Sequence, residues 1–156
     1  MEDEAESVII RGRDADLIAF RPIPWPYTPY GSPAAVTVIA STVRAELQTE
    51  LQYLGEFEKR LESLSSTLSG EAPLWSEGDF KMVLRGNGRG GVQIAGSMIA
   101  RHGPPKVELS FETDTDQTFL PKILADMRRL FLVDPPPGTQ LYIPVSIRIV
   151  RESKRD

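Results

Sequence analysis

The chain has 156 residues, of which 40% are hydrophobic and 26% are charged, which is the length and composition of one globular domain. It has no cysteine, which excludes disulfides, thiolate nucleophiles and cysteine-based metal sites, and a single histidine, His102, which excludes histidine clusters. The net charge of −4 equals the contribution of residues 1–6, so the rest of the chain is nearly neutral. Because it carries no basic patch, we expect no nucleic-acid partner.

Both ends of the chain are expected to lie outside the folded domain. Residues 1–6, MEDEAE, predict a disordered acidic tail, and residues 152–156 predict a frayed C-terminus. Residues 7–151 are then expected to form a single α+β domain. No run reaches the roughly 18 apolar residues of a membrane span, and the N-terminus lacks the features of a signal peptide. We therefore expect a cytoplasmic protein that does not bind membranes.

The first predicted elements are two short strands. Residues 7–11 and 16–21 are apolar and β-branched runs that flank the turn-forming group GRDA, which indicates a hairpin. Residues 22–33, PIPWPYTPYGSP, then predict an extended and irregular loop because of their prolines. Its aromatic side chains either cover an edge of the core or form a binding surface, since Trp and Tyr dominate interface energetics. These side chains are Trp25, Tyr27 and Tyr30.

Residues 34–51 are predicted to form two strands joined by a bend at residues 41–42. Between residues 43 and 51 the apolar side chains occupy one parity and polar side chains the other, which is the pattern of a half-buried strand. Upstream, the apolar residues occupy the opposite parity, so the buried face changes at the bend. A single helix over residues 43–68 is the alternative, because RAELQTELQYL is rich in helix-favouring residues.

A helix is predicted over residues 54–68, where apolar residues recur at intervals of three and four and Gly70 marks the C-terminal stop. Residues 72–76 then predict a short strand. The glycine-rich group RGNGRGG is interpreted as a turn between strands at 79–84 and 92–100, since it lacks the Gly-Lys-Ser/Thr ending of a phosphate loop. A third antiparallel strand begins near residue 106.

This third strand is predicted to lead through an acidic turn into a second helix, over residues 118–131. Pro121 is tolerated only in the first helical turn, which favours Thr118 over Asp116 as the N-cap. Asp114 and Asp116 then precede a helix N-terminus, whose partial positive charge stabilises carboxylates. They could also ligate a metal, but hard cations need several converging oxygens and the sequence shows no such loop. We expect no metal site.

The C-terminal residues 139–150 predict an edge strand. Their apolar side chains alternate with Tyr142, Pro144, Ser146 and Arg148, and Pro144 cannot donate to a sheet ladder. Because a long apolar edge is a liability unless paired, addition of a second copy would give a homodimer. The expected architecture is therefore mainly an antiparallel sheet with two helices packed on it.

No arrangement of residues predicts catalysis. His102, the sole imidazole, lies in the turn-forming group RHGPP, and there is no nucleophile elbow and no dinucleotide-binding fingerprint. We therefore expect a protein that is not an enzyme, with no catalytic residues and no cofactor.

From about residue 36 to residue 131 the chain resembles the WapI-type bacterial immunity proteins. The resemblance rests on the strand pair before LGEFEKRLESL, on GEAPLWSEGDFKMVL, on the hairpin with GVQIAG and on LSFETDTDQTFLPKIL. It implies a protein that neutralises a cognate polymorphic toxin by binding and occlusion. Trp25, Tyr27 and Tyr30 are the first candidates for partner binding, and Asp114 and Asp116 are the second. The alternative is a scaffold, regulatory or small-molecule-binding domain with no toxin partner.

Overall fold

The computed structural model describes residues 6–23, 31–76, 78–100 and 107–132. Within these ranges the chain forms one sheet and two α-helices. The strands are β1 (Val8–Arg11), β2 (Leu17–Pro22), β3 (Ser32–Ala40), β4 (Val43–Gln52), β5 (Ser69–Ser76), β6 (Phe80–Asn87), β7 (Gly91–Ala100) and β8 (Val107–Asp116). The helices are α1 (Leu54–Thr67), between β4 and β5, and α2 (Leu120–Phe131), which follows β8 through a 3-10 turn at Gln117–Phe119.

The sheet is an antiparallel meander in which each strand pairs with the next in sequence, in the order β1 to β8. The predicted α+β class, with an antiparallel sheet and two helices packed on it, is confirmed. The hairpin β1–β2 and the three antiparallel strands before α2 are also confirmed.

Residues 34–51 form two strands, as their alternation predicts. Ala40 pairs with Val43 across a two-residue connection, in which Ser41 adopts a left-handed conformation with φ of 57°. The alternative of one helix over residues 43–68 is wrong. The side-chain pattern prevails because strand formation buries one face of the segment, whereas intrinsic helix propensity is a weak preference.

Several predicted boundaries are corrected. The helix stop is Leu68, which takes the left-handed conformation with φ of 64° and donates its N–H to the Leu64 carbonyl, whereas Gly70 already lies in β5. β5 begins at Ser69 rather than at residue 72, because β6 supplies a partner for these exposed residues. The predicted loop 22–33 is corrected at both ends, since Pro22 is the last residue of β2 and Ser32 is the first residue of β3.

Some predictions fall outside the described residues. These are the tail up to residue 5, the aromatic residues Trp25, Tyr27 and Tyr30, the strand at 139–150 and the C-terminus at 152–156. Among the helices that the structure describes, none is long and apolar enough to cross a membrane.

The sheet curls around its core. Phe80 of β6 contacts Phe20 of β2 with ring centroids 5.7 Å apart, although three strands separate β2 from β6 in the sheet order. On its other side, Phe80 contacts Phe111 of β8 with centroids 6.4 Å apart. Both helices bury their apolar faces in this core. They also contact each other through Arg128, whose guanidinium lies 3.5 Å from Glu58 and 3.1 Å from Glu62.

A group that we call the clasp joins the two ends of the curled sheet. The Thr113 hydroxyl of β8 accepts a hydrogen bond from the Arg13 N–H at 2.9 Å and donates one to Asp16 Oδ2 at 2.7 Å. Asp16 Oδ1 accepts from the Ser41 N–H at 2.9 Å, which ties the β3–β4 turn to the same carboxylate. Gly12 completes the clasp, because a Cβ there would lie 2.4 Å from Thr113 Oγ1. The β1–β2 loop is therefore held against the opposite edge strand.

The sheet is weakly paired between β4 and β5. Only Leu51 with Ser76 and Gln52 with Trp75 are paired, although β4 is ten residues long. Residues 43–49 of β4 therefore have a strand on one side only, β3, among the residues that the structure describes.

Replacing Asp16 with Asn is expected to lower the free energy of unfolding at neutral pH by about 1–2 kcal/mol, because charged hydrogen bonds of the clasp are lost. The Ser41 N–H and then the Thr113 hydroxyl lower the pKa of Asp16. A lowered folded-state pKa means that this stability is present above about pH 4 and is lost as the pH falls further. Denaturant unfolding at pH 7 and pH 3 measures both effects.

Asp14→Asn is the matched control, since Asp14 is exposed in the same loop and its left-handed φ of 56° suits Asn equally well. Equal losses of stability in the two variants would contradict the clasp.

Gly12→Ala is expected to destabilise the protein by about 1–3 kcal/mol, because the new methyl group would overlap Thr113. Gly55→Ala in α1 meets no atom within 4 Å and is expected to be neutral or stabilising by up to about 1 kcal/mol. Thermal unfolding of the two variants tests this difference. If Gly12→Ala leaves the unfolding temperature unchanged, the β1–β2 loop does not pack closely against β8.

Candidate functional site

The two acidic candidates lie in a strand and not in a turn. Asp114 pairs with Gln93 and Asp116 with Gly91, so β8 continues through the acidic residues to the start of the 3-10 turn. The predicted acidic turn is wrong because β7 offers a partner along its full length. Thr113 and Thr115 alternate with the two carboxylates, so the acidic side chains share one face of the strand.

Asp116 caps the 3-10 turn. Its Oδ1 accepts the Thr118 N–H at 2.8 Å, and this hydrogen bond lowers the pKa of Asp116. The prediction of Thr118 as N-cap is wrong, since α2 begins at Leu120 with Phe119 at the N-cap. Pro121 lies in the first turn of α2, as predicted, where backbone N–H groups have no acceptor within the helix, so its missing N–H costs little. The preceding N–H, that of Leu120, donates to the Gln117 carbonyl.

Asp114 is engaged within the chain as well. Its carboxylate forms an ion pair with Arg13, which lies in the β1–β2 loop next to the clasp. Both acidic candidates therefore have structural partners of their own. Among the described ranges, no three acidic or histidine side chains converge as a metal site requires.

The outward face of β5–β8 carries a groove of about 490 Å³ that the sequence did not predict. The strand register places Trp75, Lys81, Ser97 and Ser110 in one row across the four strands. We call this depression the outer groove, and it is lined by Pro73, Trp75, Lys81, Met82, Val83, Arg85, Ala95, Gly96, Ser97, Glu108 and Ser110.

The outer groove exists because small residues meet in the middle of the face. Ala95, Ser97 and Ser110 form a low floor beside the larger side chains of Trp75 and Lys81. The floor is supported from below, since a Cβ at Gly96 would lie 2.5 Å from the ring of Phe111 in the core. The shape of the groove is therefore fixed by the packing of the sheet.

An exposed aromatic pair stands beside the outer groove. Tyr53 and Trp75 contact edge to face, with ring centroids 6.1 Å apart and an interplanar angle of 89°. Tyr53 is 68% exposed and Trp75 42% exposed. Tyr53 also has a left-handed backbone, with φ of 56°, where α1 begins. That conformation is strained for a bulky residue, and such strain is concentrated at functional positions.

The charges around the outer groove are unevenly distributed. Glu71 and Arg85 form an exposed ion pair at 2.7 Å on β5 and β6. Lys81 lies in the groove, and Glu108 lines it from β8. The carboxylates of β8 that share this face also include Glu112 and the Arg13-paired Asp114. The β8 side of the groove is therefore acidic.

Comparisons of the chain with protein-family models, with curated proteins and with solved structures returned no match. The chemistry of the outer groove is therefore inferred from its own residues.

Because Asp114 and Asp116 have partners within the chain, Ca²⁺ or Mg²⁺ at millimolar concentration is expected to leave the unfolding temperature unchanged. A ligand that binds the folded state at a concentration 100 times its Kd would instead stabilise the fold by about 2.7 kcal/mol. A rise in unfolding temperature that disappears in Asp114→Asn would contradict the structural role of these carboxylates.

Proposed function

We propose that this protein is a non-catalytic binding module and that the outer groove with the Tyr53–Trp75 pair docks a protein partner. The observation that supports it most is this exposed aromatic pair beside a preformed groove. Large aromatic side chains provide much of the binding energy of interfaces, and exposed apolar groups around a concave surface are typical of interaction sites.

The rigidity of the groove supports the proposal. Its floor belongs to consecutive hydrogen-bonded strands, and Phe111 packs beneath it. A surface that is already ordered loses little conformational entropy on binding, so more of the contact energy appears as affinity.

Three of the described carboxylates are unsuited to act as general acids. Asp16, Asp116 and Asp126 have a lowered pKa, and none of them lines the outer groove. Burial raises the pKa of Asp126, but hydrogen bonds from Lys122 and Arg129 outweigh it. These groups remain ionised at neutral pH, whereas a catalytic acid requires a raised pKa.

The resemblance to the WapI-type immunity proteins directs the proposal to a polymorphic toxin domain as the partner. Inhibition would occur by occlusion, with the sheet face covering the active site of the toxin. Glu108 and Glu112 on the β8 side would complement a basic surface of the toxin. Trp25, Tyr27 and Tyr30 remain predicted contributors to partner binding, and the cytoplasm remains the proposed compartment.

A small-molecule-binding domain is the second candidate. The volume of the outer groove, about 490 Å³, lies within the range of roughly 300–1,000 Å³ that is common for ligand sites. Lys81, Arg85 and Glu108 would then orient a polar ligand.

Co-expression with a toxin domain encoded beside its gene tests the proposed function. Protection of the cells is expected, and Trp75→Ala is expected to weaken binding of the purified toxin at least tenfold, because an interface aromatic contributes more than about 1.4 kcal/mol. Phe119→Ala is the control, since Phe119 is 49% exposed and does not line the outer groove.

Tyr53→Ala is expected to weaken binding as well, and circular dichroism establishes that each variant is folded. If folded Trp75→Ala and Tyr53→Ala variants bind the toxin as tightly as the unsubstituted protein, the groove is not the interface. Absence of protection despite full expression would refute the immunity role itself.

A further inference from the structure

We propose that the partner segment that docks in the outer groove is an extended stretch with one acidic side chain between two apolar ones, at positions i, i+2 and i+4. The proposal rests on the proposed function of the groove and specifies the chemistry of its partner. It starts from a second hollow of about 350 Å³, which continues the outer groove along the strands. We call it the end hollow, and its lining includes Trp75, Asp79, Lys81, Ser97 and Ile99.

The two hollows lie on either side of one row of side chains. The outer groove and the end hollow share Trp75, Lys81 and Ser97, which are paired across β5, β6 and β7. Along β7, Ala95 lines the outer groove on one side of Ser97, and Ile99 lines the end hollow on the other. Four residues of a strand span about 13 Å, and an extended segment sets its side chains i and i+4 equally far apart. A segment that lies along β6 and β7 can therefore fill both hollows.

Apolar side chains suit the two outer positions of such a segment. Val83 and Ala95 are half-buried in the outer groove, and Ile99 is half-buried in the end hollow. Trp75, which is 42% exposed, borders both hollows. Side chains at i and i+4 would cover this apolar surface, which is the usual role of an anchor residue in an interface.

The shared row carries a positive charge that the chain leaves unpaired. Lys81 forms no ion pair with the residues that the structure describes, whereas the neighbouring Arg85 is paired with Glu71 at 2.7 Å. Ser97 lies opposite Lys81, and Ser110 follows in the same row. An ammonium group and a hydroxyl group both donate hydrogen bonds to a carboxylate. The side chain at i+2, which would rest over this row, is therefore expected to be Asp or Glu.

The carboxylates around the row restrict the neighbouring positions. Asp79 lines the end hollow, and Glu108 lines the outer groove on its β8 side. Each would repel a second acidic side chain of the segment, while Lys81 would repel a basic one at the centre. A single acidic residue between uncharged apolar residues therefore fits this surface better than an acidic run or a basic segment.

Titration of the isotope-labelled full chain with two peptides, followed by nuclear magnetic resonance, tests the proposal. The acetylated and amidated peptide Thr-Leu-Thr-Glu-Thr-Leu-Thr carries the pattern, and its threonines favour an extended backbone. The control peptide has lysine in place of glutamate. The glutamate peptide is expected to shift the amide signals of Ala95, Ser97 and Ile99 and to bind at least about tenfold more tightly than the lysine peptide.

Reversal of the charge at Lys81 makes the test specific. Lys81→Glu is expected to reverse the preference, so that the lysine peptide binds more tightly than the glutamate peptide. Lys59→Glu is the matched control and is expected to keep the original preference, because Lys59 is exposed on α1 and lines neither hollow. Equal affinities of the two peptides, no binding of either peptide, or an unchanged preference in Lys81→Glu would overturn the proposal.

The toxin domain encoded beside the gene separates this proposal from the proposed function. Trp75→Ala and Lys81→Glu are both expected to weaken toxin binding at least about tenfold, whereas Lys59→Glu is expected to leave it unchanged. If only Trp75→Ala weakens binding, the groove is the interface but the bound segment has no acidic centre, and this proposal alone fails. If neither variant weakens binding, the proposed function of the groove fails as well.

Discussion

The contact on which the curled sheet depends is that of the Thr113 hydroxyl with the loop between β1 and β2. Thr113 accepts from the Arg13 N–H and donates to Asp16, and the same carboxylate holds the Ser41 N–H. Three segments that are distant in sequence therefore share one small polar group. The clasp closes at the surface the same curvature that the shared apolar core requires inside, where Phe80 contacts both Phe20 and Phe111.

This curvature divides the molecule into surfaces with different properties. The inner face is filled by α1 and α2 and is almost wholly apolar. On the outer face, small side chains at Ala95, Ser97 and Ser110 leave the groove, and the aromatic pair of Tyr53 and Trp75 stands at the weak junction between β4 and β5. The strained backbone of Tyr53 therefore lies at the place where the sheet is least continuous.

Sequence periodicity predicted most of the fold and none of the groove. The alternation of residues 43–51 identified β4 correctly, because a strand with one buried face requires apolar and polar side chains at alternate positions. Asp114 and Asp116 were misplaced in a turn, since the strand there is stabilised by pairing with β7 and not by its own apolar residues. The outer groove depends on register between strands, which a single sequence does not reveal, and the clasp joins residues 97 apart.

The separation of the clasp residues along the chain also has a kinetic meaning. Every strand pairs with its sequence neighbour, so the sheet can form stepwise through mostly local pairings, with α1 as the long connection between β4 and β5. The hydrogen bond between Asp16 and Thr113 needs both ends of that sheet to be in place, so we expect it to be among the last contacts to form. Its contribution is then largely absent from the transition state, and the clasp acts mainly on the lifetime of the folded protein rather than on the speed of folding.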